Sequence, residues 1–188
     1  MKFLVLFMTA VLIALPQARA AEEYPGNSVF HLRGDWQDQD GKRVTLGDLK
    51  GRVSAVALVY TSCQYSCPLI IEEFGKIKAK LSPAALQKTS FVLISMDPKR
   101  DTPAALKIFA AKRKLDLSLW RLLTAASERP VREFSAVIGA NIKKTGDDFA
   151  HSNLITVLDT QGVIAFTKMN IGQQVDETAA AINKFAAK

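Results

Sequence analysis

Cysteine is scarce in this chain: two residues in 188, Cys63 and Cys67, standing four apart. That count rules out a multi-bridge disulfide framework. A bridge closing so short a loop would also remove little unfolded-state entropy, so a structural staple is a poor reading. Redox work or metal binding remains. Long apolar runs are absent beyond residue 15, which leaves nothing later in the chain to cross a bilayer. Repeats, low-complexity tracts and interdomain linkers are absent too. Basic residues outnumber acidic ones, with a net charge of +7. They are scattered, however, as at Lys76, Lys78, Lys80, Lys112, Arg113, Lys114, Lys143 and Lys144, and no aromatic side chains interleave with them. Such a pattern is a solvated face and excludes a nucleic-acid surface.

What is present begins with Lys2, an apolar run from Phe3 to Leu15 interrupted by Thr9, then Pro16 and the small-residue pattern Ala18-Arg19-Ala20. This reads as a cleaved secretory signal over residues 1–20, placing the mature protein in the periplasm or an equivalent oxidising space. The alternative is a retained membrane anchor. No cysteine follows the run to take a lipid. Residues 28–188 then form one domain, long enough to bury a core without staples.

Val53 to Tyr60 is a continuous apolar run of the kind buried on both faces of a parallel sheet. A helical period over 69–81 places Ile70, Phe74, Ile77 and Leu81 on one side. Ser90–Met96 reads as a second strand, and Thr102-Pro103 opens a helix to about Lys114. Leu119–Leu123 is a third strand, and Ser127 starts a helix that ends before Gly139. Asn153–Leu158 and Val163–Lys168 flank Asp159-Thr-Gln-Gly162 as a hairpin, and Gln174–Ala187 closes as a helix. Residues 28–50, with Asp40-Gly41 at a turn, add an N-terminal hairpin at one edge. The fold class is α/β, a central sheet flanked by helices with right-handed crossovers.

Both cysteines fall in the turn after the first buried strand, Tyr60-Thr-Ser-Cys63-Gln-Tyr-Ser-Cys67-Pro68. Open α/β sheets place their sites at such carboxyl ends. Pro68 suits the first helical position, which makes Cys67 the helix cap and leaves Cys63 on the loop before it. The free N–H groups of a helix N-terminus favour thiolate, the form that ligates metals and attacks disulfides. Three intervening residues allow either a soft-metal pair, for Cu(I) or Zn, or a redox dithiol. Of the histidines, His31 reads as an ordinary residue of an edge strand. His151 sits in a polar loop before a strand; in this strand order that loop lies beside the cysteine turn, where an imidazole would complete a Cys, Cys, His set. Met96 and Met169 read as core residues, not thioether ligands. Asp97, Arg100 and Asp101 read as a scaffold behind the site, with Asp101 capping the next helix and Arg100 pairing with a carboxylate.

Taken together, Cys63-Gln-Tyr-Ser-Cys67-Pro68 after Tyr60-Thr61, Asp97-Pro98-Lys-Arg100-Asp101-Thr102-Pro103, and His151 ahead of the Leu158-Asp159-Thr-Gln-Gly162 turn resemble the Sco/SenC family, from about residue 28 to the C-terminus. The insert Gln64-Tyr65-Ser66 lacks the acidic residue and proline that members often carry there. The resemblance implies a thioredoxin-like fold with added N-terminal strands, and Cys63, Cys67 and His151 as ligands of one copper ion. It also implies delivery of that copper to a client copper protein, a cytochrome c oxidase subunit, or thiol–disulfide chemistry that assists assembly of its copper centre. If the protein is an enzyme, it is a thiol–disulfide oxidoreductase acting on client cysteines without metal.

Overall fold

The computed structural model describes residues 24–146 and 148–187, so the signal-like segment lies outside the described residues. Its centre is a seven-stranded sheet in the order β2-β1-β5-β4-β3-β8-β9. All seven residues of β3 (Val53–Val59) are buried, as a strand with neighbours on both edges and both faces must be. Parallel to it runs β4 (Thr89–Ser95), with Val53 opposite Thr89 and Val59 opposite Ser95; β5 (Trp120–Ala125) continues parallel beyond. On the other side β8 (Ile155–Leu158) and β9 (Ile164–Lys168) form the expected hairpin, β8 pairing antiparallel with β3, with Gly162 at φ +77° in the hairpin turn. The N-terminal hairpin β1 (Trp36–Asp38) and β2 (Arg43–Val44) lies at the opposite edge, against β5.

Among the described residues five α-helices pack around this sheet. α1 (Ser66–Lys78) buries Cys67, Ile70, Phe74 and Ile77, and the Phe74 ring meets Phe91 of β4 and Trp120 of β5 edge-on at 5.5 and 5.2 Å. α3 (Pro103–Lys112) and α4 (Glu128–Val137) pack on β5, while α5 (Val175–Ala186) packs on α1, β9 and the short α2 (Pro83–Gln87). Among the described residues no helix is long and apolar enough to cross a membrane.

Three local expectations are corrected. The first helix starts at Ser66, three residues earlier than the apolar period, so Pro68 takes its third position. His151 does not stand in a loop: β6 (Ile142–Thr145) and β7 (Asp148–His151) pair as a separate two-stranded ribbon. His31 belongs to a 3-10 turn (Val29–His31), not an edge strand; its Nε2 lies 3.0 Å from the Pro25 carbonyl and its ring against Tyr24.

Candidate functional site

The site is built where β3 ends. Tyr60 is buried, and its carbonyl accepts from the Cys63 N–H at 3.1 Å, closing a turn that tucks the first cysteine under α1. The expected roles of the two cysteines are exchanged. Cys67 does not cap α1 but sits inside its first turn, fully buried. Cys63 Sγ accepts the Cys67 N–H at 3.3 Å, so the loop cysteine satisfies one of the free donors at the helix start. The Cys67 thiol donates at 3.7 Å to the Tyr60 carbonyl. Both thiols are free.

This arrangement divides the pair electrically. Burial works against ionising Cys63, but the Ser66 hydroxyl, 3.3 Å from its sulfur, and the N–H groups of Cys67 and Tyr65 outweigh it, bringing the thiol down to about 7. Burial pushes the Cys67 thiol far up, and the neighbouring Cys63 charge adds to that. One sulfur is therefore half ionised near neutral pH and the other stays protonated. Reduced protein treated with iodoacetamide from about pH 5 to pH 9 is expected to alkylate Cys63 at a rate rising through a midpoint near 7, with Cys67 spared throughout. Peptide mapping by mass spectrometry reads this directly. Equal labelling, or a Cys63 midpoint at the ordinary thiol value of about 8.5, would contradict the division.

His151 arrives from the β6–β7 ribbon. Its Nδ1–H donates to the Ser152 carbonyl at 3.1 Å, which leaves Nε2 as the lone-pair nitrogen. Nε2 lies 3.5 Å from Ser66 Oγ, the same hydroxyl that touches Cys63 Sγ. Burial holds the ring below the usual imidazole range, so it is neutral at pH 7, the form that coordinates metals. The fold thus brings the imidazole to within one hydroxyl of the sulfur. Among the described residues, no three His, Cys, Asp or Glu side chains are already gathered closely enough to hold a metal ion. Ser66, the intervening hydroxyl, was not singled out from the sequence; as an ordinary small polar residue at a helix start it gives no signal without the fold.

The scaffold behind the loop also differs in detail. Thr102, not Asp101, caps α3, accepting the Ala105 N–H at 3.3 Å. Asp101 is buried and points back to the site. It accepts from the Thr61 N–H at 3.1 Å, from the Thr61 hydroxyl at 2.5 Å and from the Ser95 hydroxyl at 2.5 Å, clasping the residue two before Cys63 to the end of β4. Arg100 pairs with Asp97 as expected, and Asp97 takes its own N–H bond to Ser95 Oγ at 3.0 Å. Met96 is core; Met169 is not, standing 55% exposed just past β9.

The fold thus sets a buried dithiol at a strand–helix turn, with Asp101 behind it and His151 arriving from a separate ribbon. The SCO1/SenC family model matches residues 25–187. The chain belongs to that family. A SCO1 protein homolog of Bacillus subtilis is 34% identical over 100 residues, 53% of this chain; the match spans about half, 51%, of that relative's length. Among solved structures, BsSco, described as a Sco-family cytochrome c oxidase assembly protein with a disulfide switch, superposes with TM-score 0.70 at 28% identity, covering 81% of this chain and 90% of that one. Bradyrhizobium japonicum ScoI with copper bound superposes with TM-score 0.66 at 26% identity over 81% of this chain and 96% of ScoI. These neighbours make the fold thioredoxin-like, as expected.

Proposed function

We propose that this Sco/SenC protein carries one copper ion as cargo on Cys63, Cys67 and His151 and passes it to a client copper protein, a subunit of cytochrome c oxidase, in the periplasm. The observation that carries this reading is the donor set. A thiolate with pKa about 7, a second sulfur beside it and a neutral imidazole whose Nε2 meets Ser66, the hydroxyl that also touches Cys63, form a soft S, S, N combination suited to copper. Copper bound to the structural neighbour ScoI supports it. Deprotonation of Cys67, which burial disfavours in the free protein, would follow from ligation itself, since the metal displaces the thiol proton, which is released to solvent. The ion then compensates the charge that burial alone would penalise.

A second reading is favoured by the same division between the thiols. An ionised Cys63 and a protonated Cys67 are the attacking and resolving partners of a thiol–disulfide reductase. The disulfide switch described for BsSco belongs with this reading.

Metal titration of the reduced protein separates them. The copper reading expects one equivalent retained against a competing chelator, measured by elemental analysis. His151→Ala is expected to weaken Cu(II) roughly tenfold or more while leaving Cu(I), which two thiolates satisfy, far less affected. Retention of no copper would leave the dithiol reading alone.

A further inference from the structure

The β6–β7 ribbon presents a physical problem. Among the described residues it shares no strand pairing with the main sheet, and a lone two-stranded hairpin is marginal in water. Yet it carries His151, whose ring must be held at a fixed place if it is to serve beside the cysteines. Something in the body of the domain has to fasten it.

One side chain meets the ribbon at three points. The Tyr60 hydroxyl donates to Asp148 Oδ1 at 3.3 Å, its ring lies tilted against Phe149 with centroids 5.3 Å apart, and it stands edge-on to the His151 ring at 6.3 Å. The same residue reaches the other half of the site through its carbonyl, which takes the Cys63 N–H and the Cys67 thiol. Burial raises the phenol to about 12, so the hydroxyl stays a donor across the physiological range. The pattern of β7 fits: Phe149 and His151, two apart, share the half-buried face, while Ala150 between them is exposed.

We propose that Tyr60 is a positioning residue, a latch that fastens the β6–β7 ribbon through Asp148 and Phe149 and so fixes where the His151 ring stands relative to Cys63 and Cys67. The inference rests on the copper reading for its consequence, though the latch itself is a property of the metal-free protein. Without the hydroxyl the ring contacts and the Ser66 contact to His151 remain, but the ribbon loses the polar anchor at Asp148. Copper states that need the imidazole then bear the cost of ordering it at each binding event. States satisfied by the two sulfurs do not.

The test uses Tyr60→Phe, Asp148→Ala, their double variant, and Asp148→Asn, which keeps an acceptor oxygen. In metal-free protein, amide exchange over residues 142–151 is expected to quicken about fivefold in Tyr60→Phe and in Asp148→Ala, with the sheet strands unchanged. The double variant should be no faster than either single one, and Asp148→Asn should stay close to the parent. Cu(II) retention should fall about fivefold in Tyr60→Phe, with Cu(I) retention unaltered. Unchanged exchange in the ribbon, additive effects in the double variant, or a rise spread evenly over the sheet would each overturn the latch. A parent protein that binds no Cu(II) would defeat the copper reading instead, with the exchange data still deciding the latch.

Discussion

Cys63→Ala and Cys67→Ala are each expected to lower copper affinity by more than about 100-fold, because loss of an outer-shell partner alone costs 10–100-fold at metal sites and these are the proposed ligands themselves. A chelator competition on the reduced proteins measures it. The two variants are also expected to part company in a second assay. Where a partner disulfide is attacked, the Cys63 thiolate forms a bond to one partner sulfur and the other leaves as thiolate; Cys67 then attacks Cys63 to release the partner reduced. Removing Cys67 strands the mixed disulfide, and removing Cys63 prevents it from forming. This asymmetry follows from the environments of the sulfurs: Cys63 is lowered to about 7, while burial pushes Cys67 far up. Copper carriage makes the variants equally defective, whereas reductase work makes only Cys67→Ala a trap. Near-parental copper retention in either variant would remove that cysteine from the ligand set.

How much of this was legible in the sequence depends on where the signal is stored. β3 and β4 are written in the chain as unbroken apolar runs, because a strand covered on both faces has no polar side to show. The hairpin of β8 and β9 is written in Asp159 and Gly162: the carboxylate accepts the N–H groups of Gln161 and Val163 at 2.8 and 2.9 Å, and the glycine takes a positive φ. The ribbon β6–β7 left no comparable trace. Ile142-Lys-Lys-Thr is mostly exposed, so hydrophobic alternation is missing, and Gly146 at φ +61° is the mark of a turn among the described residues. α2 is a five-residue helix whose sole announcement is Ser82-Pro83, a cap and a first-turn proline.

The site was legible as residues but not as roles. Cys63 and Cys67 could be singled out as candidates from type and spacing, and His151 from the strand order and the family resemblance. Which cysteine would cap the helix could not, since that turns on the backbone at Tyr65 and Ser66 placing the Cys67 N–H against Cys63 Sγ. Asp101 shows the same limit: a carboxylate before Thr-Pro reads as a cap, yet the fold turns it toward Thr61 and Ser95 instead. Tyr60 reads as the last apolar residue of a strand, and only the tertiary structure shows its hydroxyl on Asp148, 88 positions away.

Replacing Lys168 with methionine is expected to destabilise the protein by about 1–3 kcal/mol, because it removes one partner of a buried carboxylate that Lys76 and the Gly172 N–H still hold. Lys168 closes β9 and Glu73 lies on the buried face of α1; each is 1% exposed, and the ammonium is 3.1 Å from Glu73 Oε2. Neither was marked by the sequence, where Glu73 sits among ordinary helix charges. Burial works against ionising Glu73. Lys76, the Gly172 N–H and Lys168 outweigh it and hold the carboxyl below its usual range. A carboxylate with a depressed native pKa contributes stability that is present above its unfolded value and lost as pH falls through the native one. This contribution therefore drains away on the acid side, below about pH 4.5, and is intact at neutrality. The double change Glu73→Leu with Lys168→Met removes both charges and is expected to recover most of the loss, with a shallower decline in acid. Urea unfolding of the three proteins at neutral and acid pH gives the comparison, and a cost under 1 kcal/mol for Lys168→Met would refute it. The pair matters beyond stability because Glu73 and Cys67 share α1. The helix that carries the buried sulfur is fastened to β9 by charge, and the same sheet edge, through β8, leads back to the ribbon bearing His151.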